Sequence, residues 1–159
     1  MGDRAGFDEL FRREFPRLVR ALSVAEGPEE AADAVQEAFV EADRRWSAVG
    51  AMTDPAGWVR RVAVNRLSNV GRYRRRRTAI LAAVRPPDPA ALGEADLDLL
   101  AAIRALPRAQ RLAVCLHDIA GLPVAEVAES LGVATGTVKS NLHDARASLR
   151  NRLGVPDEV

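Results

Sequence analysis

Side chains that suit a nucleic-acid partner recur at helical spacing between residues 61 and 76. Arginine neutralises phosphates, and the amide of asparagine can hydrogen-bond the edge of a base. The segment from residue 60 to residue 85 contains nine arginines and no acidic residue, so it requires a polyanionic partner or a solvated surface. We expect one stripe of a helix, opposite a core face that includes Trp58, to carry Arg61, Asn65, Ser68, Asn69, Arg72 and Arg76.

A second polar set lies on a predicted helix near the C-terminus. Apolar residues at 124, 127, 128 and 131 predict a short helix, and those at 138, 142, 145 and 149 predict a longer one. Gly132 supplies a sharp turn between them, and Val133 is expected to fill their angle. This is the layout of a DNA-binding helix-turn-helix, although the spacing fits an ordinary helical hairpin equally well. The candidate DNA contacts are Thr135, Gly136, Lys139, Ser140, His143, Asp144 and Arg146.

A third helix is predicted to expose an acidic stripe. It starts at Gly27-Pro28-Glu29-Glu30, because proline suits a first turn and acidic residues favour the positive end of the helix dipole. Opposite its apolar face, this helix carries four residues at the spacing i, i+3, i+4 and i+7: Asp33, Gln36, Glu37 and Val40. Such a stripe is most commonly a solvated helix surface, and it also suits a basic partner.

Catalysis and metal binding are not indicated by the sequence. The two histidines, His117 and His143, stand on different predicted helices, and no nucleophile–base pair or glycine-rich phosphate loop appears. The single cysteine, Cys115, cannot form an internal disulfide or, by itself, a thiolate zinc site. We therefore expect a protein that is not an enzyme and that uses no cofactor and no metal.

Helices must position all of these side chains. Of the 159 residues, 48% are apolar and only 4% are aromatic, and no strand-like alternation appears, so the predicted fold class is all-α. Pro16 is expected to kink or divide the first helix. Three prolines and a glycine between residues 85 and 94 predict a flexible linker. We expect two small helical domains, residues 1–84 and 97–154, joined by a linker at 85–96.

Targeting signals are not apparent in this sequence. The N-terminus lacks a basic stretch followed by an apolar core, so no signal peptide is predicted. No apolar run approaches the roughly 20 residues that span a bilayer. The expected location is the cytoplasm, without membrane insertion.

Motifs in both halves resemble one protein family, the extracytoplasmic-function (ECF, group IV) sigma factors of the sigma-70 family. In the first half, Ala32-Asp33-Ala34-Val35-Gln36-Glu37-Ala38-Phe39 and Trp58-Val59-x-x-Val62-Ala63-x-Asn65 resemble sigma region 2. In the second, Leu106-Pro107-x-x-x-Arg111, Gly121-x-x-x-x-Glu126-Val127-Ala128 and Leu131-Gly132-Val133-x-x-Gly136-Thr137-Val138-Lys139-Ser140 resemble region 4. Two half-motifs in the right order are more specific than either alone.

The resemblance implies a function for each polar set. A sigma factor binds core RNA polymerase, opens the −10 element of a promoter with region 2 and recognises the −35 element with region 4. By resemblance, the stripe from Asp33 to Val40 grips the polymerase clamp, and Asn65 with its neighbouring arginines contacts the −10 strand. Residues 47–57 resemble the loop that takes up a flipped-out base. The implied partners are core RNA polymerase, promoter DNA and an anti-sigma factor.

Four positions depart from the family pattern. Asn69 replaces a common Asp, Pro123 replaces a capping Ser or Thr, and Asn141 and Asp144 replace arginines of the recognition helix. A carboxylate that faces DNA repels phosphate unless it accepts a hydrogen bond from cytosine N4. We therefore expect −35 binding that is either weak or unusual in its sequence preference, with polymerase binding untouched.

Two other functions remain open at this point. A sigma-like decoy would bind an anti-sigma factor without recognising DNA, as Asn141 and Asp144 would favour, whereas the arginines at 72–77 favour DNA binding. If the chain is instead a helix-turn-helix transcription regulator, the resemblance of the motifs around Gln36 and Asn65 to sigma region 2 is a coincidence.

Overall fold

A computed structural model gives the fold of residues 4–78 and 93–156, with side chains described for 4–67 and 93–156. In these ranges the chain is helical and contains no strand, which confirms the all-α prediction. The N-terminal domain consists of α1 (Arg4–Glu26), α2 (Pro28–Arg44), α3 (Trp46–Val49) and α4 (Pro55–Thr78). The C-terminal domain consists of α5 (Glu94–Arg104), α6 (Arg108–Val114), a π-helical turn (Cys115–Ile119), α7 (Val124–Leu131) and α8 (Thr135–Leu153).

The first helix is continuous through its proline. Pro16 lies inside α1, so the predicted division of this helix is wrong. Proline removes one backbone hydrogen bond. Leu10 and Leu18, which lie on either side of it, are both buried in the same core, and this packing stabilises the helix on both sides of Pro16.

The helix start that the sequence predicts at Gly27-Pro28 is present at α2, and α4 starts in a similar way at Asp54-Pro55. Gly27 precedes α2 with a φ of 112°, Pro28 takes the first turn, and two glutamates follow it. At α4, the Asp54 carboxylate accepts a hydrogen bond from the Gly57 backbone N–H at 3.0 Å and caps the helix. A β-carbon on Gly57 would lie 2.3 Å from an oxygen of this carboxylate, so a larger residue there would force the capping side chain to shift.

The helix-turn-helix in the C-terminal domain is also present as predicted. Gly132 ends α7 in the left-handed conformation, with a φ of 68°, and α8 begins three residues later. Val133 is 39% exposed, so the expectation that it fills the angle between the helices is wrong. Val127 of α7 and Val138 of α8 are fully buried. Helix α5 begins at Glu94, inside the predicted linker, most of which lies outside the described residues.

The two domains pack against each other. One hydrophobic cluster runs through both of them, and it includes Leu18 and Val59 on one side and Leu116 and Val127 on the other. Helix α1 lies against the π-helical turn and α5, and α4 lies against α7. We call this contact between the domains the seam. In the described part of the chain, no helix has the length and apolar character that crossing a membrane requires.

Candidate polymerase and nucleic-acid interfaces

The acidic stripe on α2 is exposed and forms one wall of a shallow groove. Its members Asp33, Gln36, Glu37 and Val40 all face solvent, and Val40 is 45% exposed. The groove measures about 390 Å³ and is closed on its far side by Arg66 of α4. A guanidinium nitrogen of Arg66 lies 3.8 Å from the Glu37 carboxylate. The structure therefore brings the four predicted residues together on one surface.

An aromatic cleft beside the acidic stripe was missed by sequence reasoning. The apolar spacing of α1 assigns Phe11 to the core, yet its side chain is 38% exposed. Its ring stacks on Phe15 at 4.7 Å between centroids and meets Phe39 edge-on at 5.0 Å. The cleft measures about 520 Å³ and shares Gln36 and Val40 with the stripe. Because all three phenylalanines of α1 fall on one helical face, periodicity could not separate the exposed ring of Phe11 from the partly buried rings of Phe7 and Phe15.

On α4, Arg61 and Asn65 are exposed. The side chains of Asn69, Arg72 and Arg76 lie outside the described residues, although α4 itself continues to Thr78. Trp58 is partly buried and lines the same groove as Arg61, so the expectation that they occupy opposite faces is wrong. At 3.6 residues per turn, positions three and seven residues after Trp58 return close to its own side of the helix.

A cavity of about 530 Å³ lies beside the segment before α4. Ser47, Thr53 and Asp54 line it from the segment that resembles a base-capturing loop. Glu9 and Arg13 of α1 line it from the opposite side, and they bring one acceptor and one cation that the sequence pattern did not associate with this loop. Its volume falls within the range of pockets that hold small ligands.

The predicted −35 residues lie together on α8. All seven are exposed: Thr135, Gly136, Lys139, Ser140, His143, Asp144 and Arg146. Arg146 donates to the Asp118 carboxylate at 3.1 Å, so part of its charge is neutralised within its own domain. Asp144, one of the residues that depart from the family pattern, is exposed to solvent.

The start of α8 and the exposed side of α4 face one another across the seam. A groove of about 740 Å³ separates them, and its walls include Trp58 and Arg61 on one side and Gly132, Val133 and Thr135 on the other. We call this space the interdomain groove. Candidate −10 and −35 contacts therefore border the same groove.

A buried glutamate and a buried arginine form an ion pair between α1 and α4. Glu14 of α1 is fully buried and accepts two hydrogen bonds from Arg60 of α4, at 2.7 and 3.0 Å. Burial alone would raise the pKa of Glu14, but hydrogen bonding and the positive charges of Arg60 and Arg17 outweigh it and hold that pKa below its ordinary value. Burial raises the pKa of the Cys115 thiol to about 12, which leaves it unreactive at neutral pH. The described residues contain no cluster suited to a metal ion.

Comparison with known proteins shows that the chain is similar to sigma factors. Residues 96–149 match the model of the family "Sigma-70, region 4". The ECF RNA polymerase sigma factor SigM of Mycobacterium tuberculosis is 38% identical over 96% of this chain and 80% of its own length.

Two solved structures match nearly the whole fold. The sigma factor RpoE of Bartonella quintana, solved in complex with the anti-sigma factor NepR, has a TM-score of 0.73 at 26% identity, covering 95% of this chain and 97% of its own. CnrH, solved with the cytosolic domain of CnrY, has a TM-score of 0.68 at 26% identity, covering 99% of this chain and 92% of its own.

Proposed function

Because this chain belongs to the ECF RNA polymerase sigma factors, we infer that it acts as one: it binds core RNA polymerase and directs transcription initiation at specific promoters. The observation that carries this function is the order of its parts. One chain holds an exposed acidic stripe, an arginine-bearing helix and a helix-turn-helix, and a named sigma factor is similar to it over 96% of its length. Its own contribution is recognition, with no catalytic step, and its place of action is the cytoplasm.

Polymerase binding is assigned to the acidic stripe. Asp33, Gln36 and Glu37 are exposed and unobstructed by the C-terminal domain, so a basic partner can reach them in the packed state. The aromatic cleft continues this surface past Val40, which adds apolar area next to the charges. Interfaces of this composition combine an apolar centre with a charged rim. Both features support docking of the polymerase clamp on this side of α2.

Promoter binding is assigned to α4 and α8. Arg61 and Asn65 offer a cation and an amide on the exposed side of α4, as single-stranded DNA requires. The cavity beside residues 47–56 supports the uptake of one flipped base. Lys139, Ser140 and His143 offer donors to duplex DNA from α8.

An anti-sigma factor is the remaining proposed partner. The solved sigma factors that resemble this chain over nearly its full length were both captured with such regulators or their domains. The decoy function would keep this partner and lose promoter recognition. The regulator function would keep duplex DNA and lose polymerase. These alternatives are separable by one assay.

The deciding experiment is in vitro transcription with core RNA polymerase on a promoter library. A sigma factor yields transcripts that share −10 and −35 sequences, and these transcripts disappear when the chain is omitted. A decoy yields none, although an anti-sigma factor still binds it. A helix-turn-helix regulator yields none either, and it binds a duplex without polymerase.

A further inference from the structure

The cavity before α4 has two walls that come from different parts of the chain. Ser47, Thr53 and Asp54 line it from the segment that precedes α4, and Glu9 and Arg13 line it from α1. All five residues are exposed, so the cavity is open to a ligand from solvent. The proposed function assigns the cavity to one flipped base, and it gives α1 no part in binding that base.

Aromatic packing joins the two walls. Trp46, at the start of α3, lines the cavity and meets Phe7 of α1 edge-on, with 5.3 Å between the ring centroids. The chain then passes close to the indole, because a β-carbon on Gly50 would lie 2.9 Å from a ring atom of Trp46. The segment that precedes α4 is therefore packed on α1, which fixes the separation of the two walls.

Buried charge positions Arg13 at this cavity. Its Nε donates to the Glu14 carboxylate at 3.4 Å, and two hydrogen bonds from Arg60 hold that carboxylate in turn. The contact uses Nε, whereas the two terminal nitrogens of the guanidinium carry four further N–H donors. Glu9 precedes Arg13 by four residues, a spacing that places both on one face of the helix. Helix α1 therefore brings a carboxylate acceptor and a multiple donor to the cavity.

The charges around the cavity favour a base over a phosphate. Its lining includes the carboxylates of Glu9 and Asp54 and the guanidinium of Arg13, so acidic groups outnumber basic ones. Negative charge repels a phosphate. A flipped base is neutral, and its Watson–Crick edge carries both donors and acceptors. The cavity therefore suits the base of a nucleotide whose phosphate lies elsewhere.

The cavity adjoins the surface that is proposed to bind the −10 strand. Asp54 lines both the cavity and the interdomain groove, and Arg61 of α4 lines that groove as well. The two spaces therefore meet at the start of α4. A strand with a phosphate on Arg61 can turn a neighbouring base past Asp54 into the cavity.

We propose that Glu9 and Arg13 of α1 recognise the base that the cavity takes up, and that they select cytosine or guanine at that position of the −10 strand. The inference rests on the proposed function, since it takes promoter DNA as the ligand. A carboxylate accepts a hydrogen bond from an exocyclic amino group, and a guanidinium donates to a carbonyl oxygen. Cytosine and guanine carry both groups, whereas adenine has no carbonyl oxygen and thymine has no amino group.

The test is in vitro transcription with core RNA polymerase on a library of promoters whose −10 element is randomised. The variants of the full-length chain are Glu9→Ala and Arg13→Ala. The neighbouring changes Asp8→Ala and Arg12→Ala are the matched controls, because they remove the same charges from exposed positions of α1 that lie outside the cavity lining. Circular dichroism establishes that each variant keeps its helices.

We expect the wild type and both controls to prefer cytosine or guanine at one position of the −10 element, and the preferred base distinguishes the two. Glu9→Ala and Arg13→Ala should each lower this preference by about fivefold or more, because a hydrogen bond to the base edge is lost. Arg13→Lys keeps the charge without the planar fork and should lower it too. An abasic site at that position should abolish the difference between each variant and the wild type, because no base remains to be recognised.

Three results from an active wild type would overturn this role of α1. The first is an unchanged preference at every −10 position in Glu9→Ala and Arg13→Ala. The second is a loss of transcription in Arg13→Ala that is equal for all sequences, because the arginine would then bind a phosphate. The third is a preference for adenine or thymine at the position where the variants act. A wild type that initiates at no promoter would instead contradict the proposed function, and with it the ligand that this inference requires.

Discussion

A guanidinium nitrogen of Arg61 on α4 lies 3.5 Å from the point where a β-carbon on Gly132 would sit. Arg61 belongs to the proposed −10 surface, and Gly132 is the turn of the helix-turn-helix that presents the proposed −35 surface. The absence of a side chain at Gly132 permits the left-handed turn. A β-carbon there would make an ordinary van der Waals contact with the arginine of the other domain, so the conformation of the turn and not the space around it favours glycine.

Gly132→Ala should destabilise the protein by roughly 1–2 kcal/mol, because an L-residue is strained at a φ of 68°. Gly136→Ala is the matched control, since a β-carbon there meets nothing within 4 Å and the residue is already helical. Alanine should stabilise that position by up to about 1 kcal/mol. Urea unfolding of both variants measures the difference. Equal stabilities would contradict the strained turn.

Replacement of Asp33, Gln36 and Glu37 by alanine should abolish co-purification with core RNA polymerase, because it removes the charged half of the acidic stripe. Asp96→Ala with Asp98→Ala on α5 removes two carboxylates elsewhere and should leave recovery unchanged. If the triple variant recovers as much polymerase as the wild type does, the docking surface has been assigned to the wrong face of α2.

Asn65→Ala should impair promoter opening and leave polymerase binding intact. The substitution removes one amide capable of two hydrogen bonds to a base, worth roughly 1–3 kcal/mol, and alters neither charge nor core packing. Permanganate footprinting should detect fewer reactive thymines around −10. Arg72→Ala should instead weaken binding to every sequence and flatten its salt dependence by about one unit. If Asn65→Ala opens promoters as well as the wild type does, with the same preference at every −10 position, this asparagine has no role in base capture.

Asp144→Arg should strengthen binding of duplex DNA and steepen its dependence on salt. The exposed carboxylate opposes the phosphate field, and an arginine there would release an additional counterion. Asp144→Asn separates the loss of repulsion from the gain of a contact, and Ala147→Arg adds the same charge on another part of α8. Fluorescence anisotropy at several salt concentrations measures all three. An affinity that Asp144→Arg leaves unchanged at low salt would mean that this side of α8 faces away from DNA.

Acid should destabilise the protein through Glu14. Its pKa in the folded state is lowered, so its ionised form stabilises the fold fully above the unfolded pKa of about 4.3. That contribution is lost as the pH falls through the lower folded value. Glu14→Gln leaves Arg60 buried without its main partner and should cost about 3 kcal/mol at pH 7.

The free energy of unfolding of Glu14→Gln should also depend less on pH between about pH 5 and pH 3 than that of the wild type. Glu41→Gln breaks the partly exposed pair of Glu41 with Arg45 at the end of α2 and should change stability by less than about 1 kcal/mol at any of these pH values. Urea titrations across this range measure both effects. Parallel pH profiles for the wild type and Glu14→Gln would show that Glu14 does not control acid stability.

The helices and the helix-turn-helix could be predicted from sequence because their signals are local. Gly27-Pro28, Asp54-Pro55 and Gly132 each specify a start or a turn within a few residues, and the structure has a helix start or a turn at each of them. Pro16 was misjudged because its local cost is outweighed by packing on both sides. Tertiary contacts of that kind cannot be inferred from a short window of sequence.

The relation between the surfaces could not be predicted in the same way. Glu14 and Glu126 are 112 positions apart, and nothing in their spacing indicates that both meet Arg60. The exposure of Phe11 and the partial burial of Trp58 likewise depend on which neighbour covers each helix. Residue types in the sequence therefore indicate what each surface can bind. Only the structure shows that the candidate −10 surface on α4 and the candidate −35 surface on α8 border one groove.

The ion pair in which Arg60 of α4 donates to Glu126 of α7 at 3.2 Å crosses the seam, and it has a consequence for how firmly the two domains are held together. A seam between two parts of one chain closes at the effective concentration that their covalent connection sets. Contacts far too weak to join separate proteins are then sufficient. Substitution of Glu126 can accordingly loosen the seam in a small step, because Arg60 keeps its two hydrogen bonds to Glu14 in its own domain.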